Sequence, residues 1–165
     1  MKPIDIDNYE LEISSDCNAE CPLCQRTHMK MPLRGNNNIS LADLKNIFYK
    51  DEYIDGKEFK LCGVLGDPIL NSECIEICDF LSSKGARKIA LSTNGGMNTP
   101  EWWTRLANIQ NVQVDFCVDG FENTNHIYRV NVKWPTLLRN MKAYSKAKGK
   151  ATVSYTHLTL PTTYG

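Results

Sequence analysis

The sequence predicts an α/β fold built on a parallel sheet. Two observations carry this prediction: strand-like and helix-like segments alternate four times along the 165 residues, and polar motifs follow the ends of four successive strands. Alternation at this spacing is typical of βαβ units with right-handed crossovers. Ligands of such sheets and barrels bind at the carboxyl ends of the strands. We therefore expect the functional site at that edge.

The predicted elements follow one another in regular order. Alternating or β-branched apolar segments predict the strands, and apolar residues three and four positions apart predict the helices. In chain order, these are a strand at 9–13, a helix from 41, a strand at 59–64, a helix at about 72–84, a strand at 88–93, a helix from 100, a strand at 112–118, a helix at about 135–148 and the start of a fifth strand at 149–153.

Specific residues mark the ends of three helices. Ser40 and Asp43 have the spacing of a capping box at the start of the first helix. Gly85 follows the second helix, where a left-handed cap residue is common. Thr99 and Pro100 open the third helix with a cap residue and a proline at the first helical position.

The chain supplies about four and a half βα units, whereas an eight-unit barrel takes roughly 250 residues. We therefore expect a truncated piece of a larger barrel. Residues 154–165 contain no charge and four threonines, and no helix follows the fifth strand. They resemble translated sequencing-adapter read-through more than a short C-terminal strand and coil. We interpret 1–153 as the core and 154–165 as an assembly artefact.

The composition is that of a soluble globular domain, with 42% hydrophobic and 23% charged residues. The N-terminus lacks the apolar region of a signal peptide, and no run is long enough to span a membrane. Seven cysteines are an odd number and do not suggest a secreted disulfide framework. We expect a cytoplasmic protein without a membrane partner.

Three cysteines form the most specific pattern in the chain. Cys17, Cys21 and Cys24 have C-x3-C-x2-C spacing directly after the first strand. Three thiolates are soft ligands that suit zinc or an iron-sulfur cluster. The spacing matches neither bacterial nor plant-type ferredoxins, and three protein ligands leave one coordination position open. His28 as a fourth ligand would instead complete a zinc site.

At this cysteine motif the sequence resembles the radical S-adenosylmethionine (radical SAM) superfamily. The resemblance implies a 4Fe-4S cluster on Cys17, Cys21 and Cys24, whose remaining iron binds S-adenosylmethionine. An electron from the cluster would cleave that cofactor to a 5'-deoxyadenosyl radical, which abstracts hydrogen from a substrate. It also implies a partial TIM-like barrel, here the N-terminal portion of a six-unit core.

Three further motifs resemble the cofactor-binding segments of this family. Leu65-Gly66-Asp67 stands where the family has Gly-Gly-Glu, so leucine replaces glycine and aspartate replaces glutamate. At the end of the fourth strand, Cys117 stands where the family has a serine that contacts the cofactor, and a thiol is a weaker donor. The cofactor-binding residues implied by the resemblance are Leu65, Gly66, Asp67, Ser92, Asn94, Cys117, Asp119 and Arg129.

The sequence identifies neither a catalytic residue nor a substrate; peptide, nucleoside and small metabolite all stay open. The resemblance implies an electron donor such as flavodoxin or ferredoxin. The alternatives are an activating enzyme that makes a glycyl radical, and a non-catalytic zinc-binding or electron-transfer module using the cysteines and His28. We expect Cys74 and Cys78 to be core residues of a helix and Cys62 to lie inside a strand, so none of these three is a predicted ligand.

Overall fold

The computed structural model describes residues 6–33, 35, 37–147 and 149–154. Residues 1–5 and the tail at 154–165, apart from Ser154, lie outside the described residues, so the interpretation of the tail stays a prediction. In chain order, the elements are β1 (Asn8–Leu11), α1 (Gln25–His28), α2 (Leu41–Ile47), β2 (Glu58–Leu61), α3 (Cys74–Ser83), β3 (Lys88–Thr93), α4 (Pro100–Ala107), β4 (Val112–Cys117), α5 (Asn125–Tyr128), α6 (Trp134–Lys146) and β5 (Lys150–Ser154).

The five strands form one parallel sheet in the order β1-β2-β3-β4-β5. Each strand pairs with the next one along the chain, and the register aligns Leu11 with Leu61 and Leu61 with Leu91. The sheet is open, with β1 and β5 at its two edges. This confirms the α/β partial barrel, and it brings the loops that follow the strands to a common edge.

The two faces of the sheet differ in polarity because strand side chains alternate. On β2, Phe59 and Leu61 are buried in the core beneath the helices. Lys60 lies on the other face, where its Nζ is 3.6 Å from the Glu10 carboxylate on β1. The polar face is therefore the inner face of the partial barrel.

Aromatic side chains fill the core on the helix side of β4. The Trp103 and Phe116 rings lie 5.2 Å apart, and Tyr144 from α6 approaches Trp103 edge-on at 6.2 Å. Leu137 and Tyr144 of α6 are fully buried, which agrees with an amphipathic helix whose basic side chains face solvent. Within the described ranges, no helix combines the length and apolarity needed to cross a membrane.

The predicted helix ends are confirmed. The Ser40 side chain accepts from the Asp43 amide, and the Asp43 carboxylate accepts from the Ser40 amide, so the capping box is complete. The Thr99 side chain accepts from the Trp102 amide at the start of α4. Gly85 follows α3 with a φ of +87°, a left-handed conformation that favours glycine.

The second strand is shorter than predicted, and Cys62 lies one residue beyond its end. Beyond Leu61, the Cys62 amide still donates to the Leu11 carbonyl at 3.3 Å, but the amides of Val64 and Leu65 donate to the Glu12 carboxylate. The prediction that Cys62 lies inside a strand was therefore wrong. Cys74 and Cys78 are buried on α3, as predicted.

Candidate functional site

A cavity of about 290 Å³ lies at the carboxyl edge of the sheet. Its walls come from the loops after β1, β2 and β3 and from residues at and after the end of β4. The predicted site residues that line it are Cys17, Cys21, Cys24, Leu65, Gly66, Asp67, Ser92, Asn94, Cys117 and Arg129. Of the predicted set, only Asp119 is not among the lining residues, and it lies behind Arg129.

The cysteine loop is folded back on itself by backbone hydrogen bonds. The Cys24 amide donates to the Cys21 carbonyl at 3.0 Å, and the Cys17 amide donates to the Leu33 carbonyl at 3.0 Å. The Ala19 amide lies 3.4 Å from the Cys17 sulfur and donates to it. All three thiols are free, so the loop presents three sulfurs to one cavity.

Burial raises the pKa of the Cys17 thiol to about 12, with the nearby Asp67 carboxylate adding to the shift. Burial also raises the pKa of Cys21, although the Arg129 guanidinium acts in the opposite direction. Both thiols therefore keep their protons at neutral pH unless a bound metal displaces them.

The zinc alternative depends on His28, and this residue lies apart from the cavity. His28 is exposed at the end of α1 and is not among the residues that line the cavity. Across the described ranges, no group of three or more His, Cys, Asp or Glu side chains, the three cysteines included, is arranged to hold a metal ion.

The loop after β2 packs directly against the start of the cysteine loop. At Gly66, a Cβ atom would lie 1.8 Å from the Ser14 carbonyl oxygen, so only glycine fits without a backbone shift. The Asp67 amide donates to the Asp16 carbonyl at 2.8 Å. These contacts fix the predicted cofactor loop beside the cysteines.

The Asp67 carboxylate joins two of the cavity loops. It is buried and accepts from the amides of Ile69 at 3.3 Å and Asn94 at 2.8 Å. Burial raises the pKa of Asp67, and these hydrogen bonds act against that shift. The Asp67 side chain, although shorter than that of a glutamate, thus links the β2 loop to the end of β3.

The Asn94 side chain is fixed between the cysteine loop and its own turn. Its Nδ2 lies 3.0 Å from the Asn18 Oδ1 and 3.8 Å from the Cys17 sulfur, and its Oδ1 accepts from the Gly96 amide at 2.8 Å. Ser92 lies two residues earlier on β3 and also lines the cavity. The end of β3 therefore contacts the cysteine loop directly.

Arg129 connects α5 to the cysteines. Its Nε lies 2.5 Å from the Asp119 carboxylate, and its Nη1 lies 3.6 Å from the Cys21 sulfur. Burial by itself would lower the pKa of Arg129, but the neighbouring Cys21 and Asp119 outweigh this effect and raise the pKa of Arg129. Cys117, at the end of β4, lines the same cavity, and burial raises the pKa of its thiol.

The structure adds residues that the sequence analysis missed. The further residues lining the cavity are Ala19, Arg26, Cys62, Gly63, Val64, Thr93 and Tyr128. Arg26 is 2% exposed and donates to the carbonyls of Ser15 and Leu65. In the sequence, the only indication of this role was the position of Arg26 two residues after the last cysteine of the motif. Glu12, which holds the β2 loop, gave no signal beyond its place at the end of the first strand.

Comparison with known proteins identifies a family that matches most of this chain. A family model described as the radical SAM superfamily matches residues 11–164. A probable GTP 3',8-cyclase of Methanothermobacter marburgensis is 29% identical over 88 residues, which are 53% of this chain and 27% of the relative. The chain thus spans about a quarter of the length of that relative.

Two solved structures have the same fold at low sequence identity. Native anSMEcpe with bound AdoMet has a TM-score of 0.71 at 19% identity, with 88% of this chain and 42% of that chain covered. Streptococcus suis SuiB bound to the precursor peptide SuiA has a TM-score of 0.68 at 15% identity, with 90% and 32% covered. Both likenesses concern the fold alone, and both neighbours extend well beyond the matched part.

Proposed function

The chain belongs to the radical SAM superfamily, and from that premise we propose that its cavity binds a 4Fe-4S cluster and S-adenosylmethionine for reductive cleavage of that cofactor. When bound, the cluster supplies the electron that yields a 5'-deoxyadenosyl radical for hydrogen abstraction from a substrate. The chain's own residues would hold, orient and shield these two groups.

One observation carries the proposal. Three cysteines and seven residues from three further motifs line a single cavity, although up to 112 positions separate them along the chain, from Cys17 to Arg129. Scattered surface residues would not meet in this way. The carboxyl edge of a parallel sheet is also where α/β folds bind their ligands.

The side chains in the cavity fit an iron-sulfur cluster in their chemistry. Thiolates are the usual protein ligands of such clusters. Cys17, Cys21 and Cys24 would supply three of them and leave one iron open for the amino and carboxylate groups of the cofactor. Two buried polar atoms, the Asn18 Nδ2 and the Arg26 Nε, have no hydrogen-bond partner among the described residues. Arg26 lines the cavity, and the Asn18 Oδ1 accepts from the Asn94 Nδ2 beside it.

The β2 loop would bind the cofactor's amino group through its backbone. No described residue donates a hydrogen bond to the Gly66 carbonyl oxygen, so this acceptor is available to an ammonium donor. The Leu65 carbonyl already accepts from Arg26 at 2.7 Å. The Asp67 carboxylate would act by holding the Asn94 amide and so fixing the loop.

Arg129 would hold the cofactor's carboxylate. A guanidinium has five donors in a planar fork, so it can keep its bond to Asp119 and still donate to a second carboxylate. The hydrogen bond from the Arg129 Nε to the Asp119 carboxylate fixes the orientation of this guanidinium. Ser92 and Cys117 would contact the cofactor from the inner face of the sheet.

The substrate is a separate question from the cofactor chemistry. By their names, the matched proteins act on a nucleotide, GTP, or are bound to a precursor peptide, and small metabolites stay open. The electron would come from a donor such as flavodoxin or ferredoxin. The free thiols of the site suit a reducing compartment such as the cytoplasm.

The test is low-temperature electron paramagnetic resonance on the anaerobically reconstituted, dithionite-reduced chain, with and without S-adenosylmethionine. We expect a 4Fe-4S signal that changes when the cofactor is added, because the cofactor occupies the open iron. Stoichiometric zinc without a cluster signal would contradict the proposal. A cluster signal that ignores the cofactor would contradict the cofactor assignment alone.

A further inference from the structure

Arg26 is a buried cation with an unusual set of partners. It is 2% exposed, although arginine is almost never fully buried unless paired. Its Nη1 donates to the carbonyls of Ser15 and Leu65, and its Nη2 donates to the Pro32 carbonyl. Among the described residues, it forms no ion pair with a carboxylate.

These three carbonyls belong to different segments of the site. Ser15 lies at the start of the cysteine loop, Pro32 lies after α1, and Leu65 lies in the loop after β2. One planar guanidinium therefore joins both edges of the cysteine segment to the predicted cofactor loop. Lysine could not reproduce this contact, because its single ammonium group lacks the fork.

A buried charge without a counter-charge is costly, and the cavity offers the counter-charge. Arg26 lines the same cavity as Cys17, Cys21 and Cys24, and its Nε is buried without a described partner. When a metal cluster binds, its cysteine ligands lose their protons and the site becomes more negative. The cation is therefore positioned to stabilise the cluster-loaded form.

We propose that Arg26 is a positioning residue that orders the β2 loop for the cofactor and holds a fixed positive charge beside the cluster. This inference rests on the proposed function. Reduction adds one negative charge to a cluster, so a nearby buried cation stabilises the reduced state and raises the reduction potential. Arg26 thus has two separable effects, one from its hydrogen bonds and one from its charge.

Two variants of the whole 165-residue chain separate these effects. R26Q removes the charge, and R26K keeps the charge but loses the fork. R105Q is the matched control, since Arg105 is an exposed arginine on α4 whose carboxylate partner is Glu76. The readouts are the midpoint potential of the reconstituted cluster, from a potentiometric titration followed by paramagnetic resonance, and the affinity for S-adenosylmethionine.

For R26Q we expect the ratio of reduced to oxidised cluster at a fixed potential to fall about tenfold, equivalent to about 59 mV for one electron. For R26K we expect a potential close to that of the wild type and cofactor affinity reduced about tenfold. R105Q should match the wild type in both readouts. Where R26Q is too unstable to fold, a cofactor affinity in R26K equal to that of the wild type overturns the inference, because the hydrogen-bonding effect is then absent.

Each contrary outcome has a distinct meaning. A wild-type chain that assembles no cluster overturns the proposed function and this inference together. A wild-type cluster that responds to the cofactor, with the same potential and affinity in R26Q and R26K, overturns the inference alone. Lower folding stability in these variants, with both readouts unchanged, would identify Arg26 as a purely structural residue and would equally overturn the inference.

Discussion

Arg129 and Asp119 form a buried ion pair at the back of the cysteine cavity, with the Arg129 Nε 2.5 Å from the Asp119 Oδ2. The Asp119 side chain is fully buried, and that of Arg129 is 18% exposed. The same guanidinium lies 3.6 Å from the Cys21 sulfur. The pair therefore links the end of the β4 loop to the cysteine loop, and its integrity affects both stability and the site.

The first prediction concerns removal of the cation from this pair. R129M leaves the Asp119 carboxylate buried without its guanidinium, and breaking a buried pair in this way costs about 3 kcal/mol. We expect this loss in the free energy of unfolding, measured by urea denaturation of the metal-free chain.

R105M is the control for that measurement. It breaks the exposed pair between Arg105 and Glu76, which spans 3.3 Å, and exposed pairs contribute about 0.5 kcal/mol. The double variant R129M/D119N should recover part of the lost stability because the buried charge is then absent. Equal losses in R129M and R105M would contradict the burial argument.

The second prediction concerns the cluster ligands. Replacing Cys17, Cys21 or Cys24 by alanine should abolish retention of a 4Fe-4S cluster, because in the proposed site each would supply one of three protein ligands. The measurement is iron and acid-labile sulfide bound per chain after reconstitution. C78A is the matched control, since Cys78 is fully buried on α3 and does not line the cavity. Iron retention in any one of the three variants would remove that cysteine from the ligand set.

The sequence predicted the parallel sheet, the helix caps and the cysteine motif because these depend on local patterns, whereas the residues of the three further motifs came from the resemblance to a family. Alternation, capping pairs and cysteine spacing are all visible within a few residues. The sheet then brings the motif residues together because every predicted strand ends at the same edge. That step needed only the α/β topology.

The residues that hold these motifs in place could not be predicted in the same way. Arg26 and Glu12 act on the β2 loop from 39 to 53 positions away. Each is a charged residue that the sequence alone would assign to the surface. Their importance comes from backbone groups of a distant loop, and no local pattern encodes which carbonyl or amide will lie next to them.

The third prediction tests the close packing of the β2 loop. In G66A, the added Cβ would lie 1.8 Å from the Ser14 carbonyl oxygen, which is backbone and cannot rotate away. We expect a loss of about 1–3 kcal/mol in the free energy of unfolding, the typical cost of overpacking. The cofactor-dependent change in the cluster signal should also weaken, because the loop must move away from the cysteines.

G35A is the control for the G66A substitution. A Cβ at Gly35 would lie 3.6 Å from the nearest atom, the Asn37 Nδ2, which is an ordinary contact. It should leave both stability and the cofactor response near those of the wild type. If G66A behaved like G35A, the β2 loop would not depend on this close approach.

The fourth prediction concerns the Cys62 thiol on the inner face of the sheet. Its sulfur lies 2.8 Å from the Glu10 carboxylate and donates to it. Burial, followed by this hydrogen bond, raises the pKa of Cys62 to about 12 from its ordinary 9.0. The same bond and the nearby Lys60 lower the pKa of Glu10. The two shifts agree, since a thiol that donates to a carboxylate keeps its own proton and favours the ionised acid.

The sign of the pH effect follows from these shifts. Because the folded-state pKa is raised, the unfolded chain loses this proton first, and the stabilisation is complete below about pH 9 and lost as the pH rises towards 12. Alkylation by iodoacetamide, followed at the Cys62 peptide by mass spectrometry, should therefore accelerate at higher pH in the folded chain than in urea. E10Q should move the folded-state profile to lower pH, because the thiol loses its charged acceptor. Identical profiles for folded and unfolded chains would show that Glu10 does not hold the proton on Cys62.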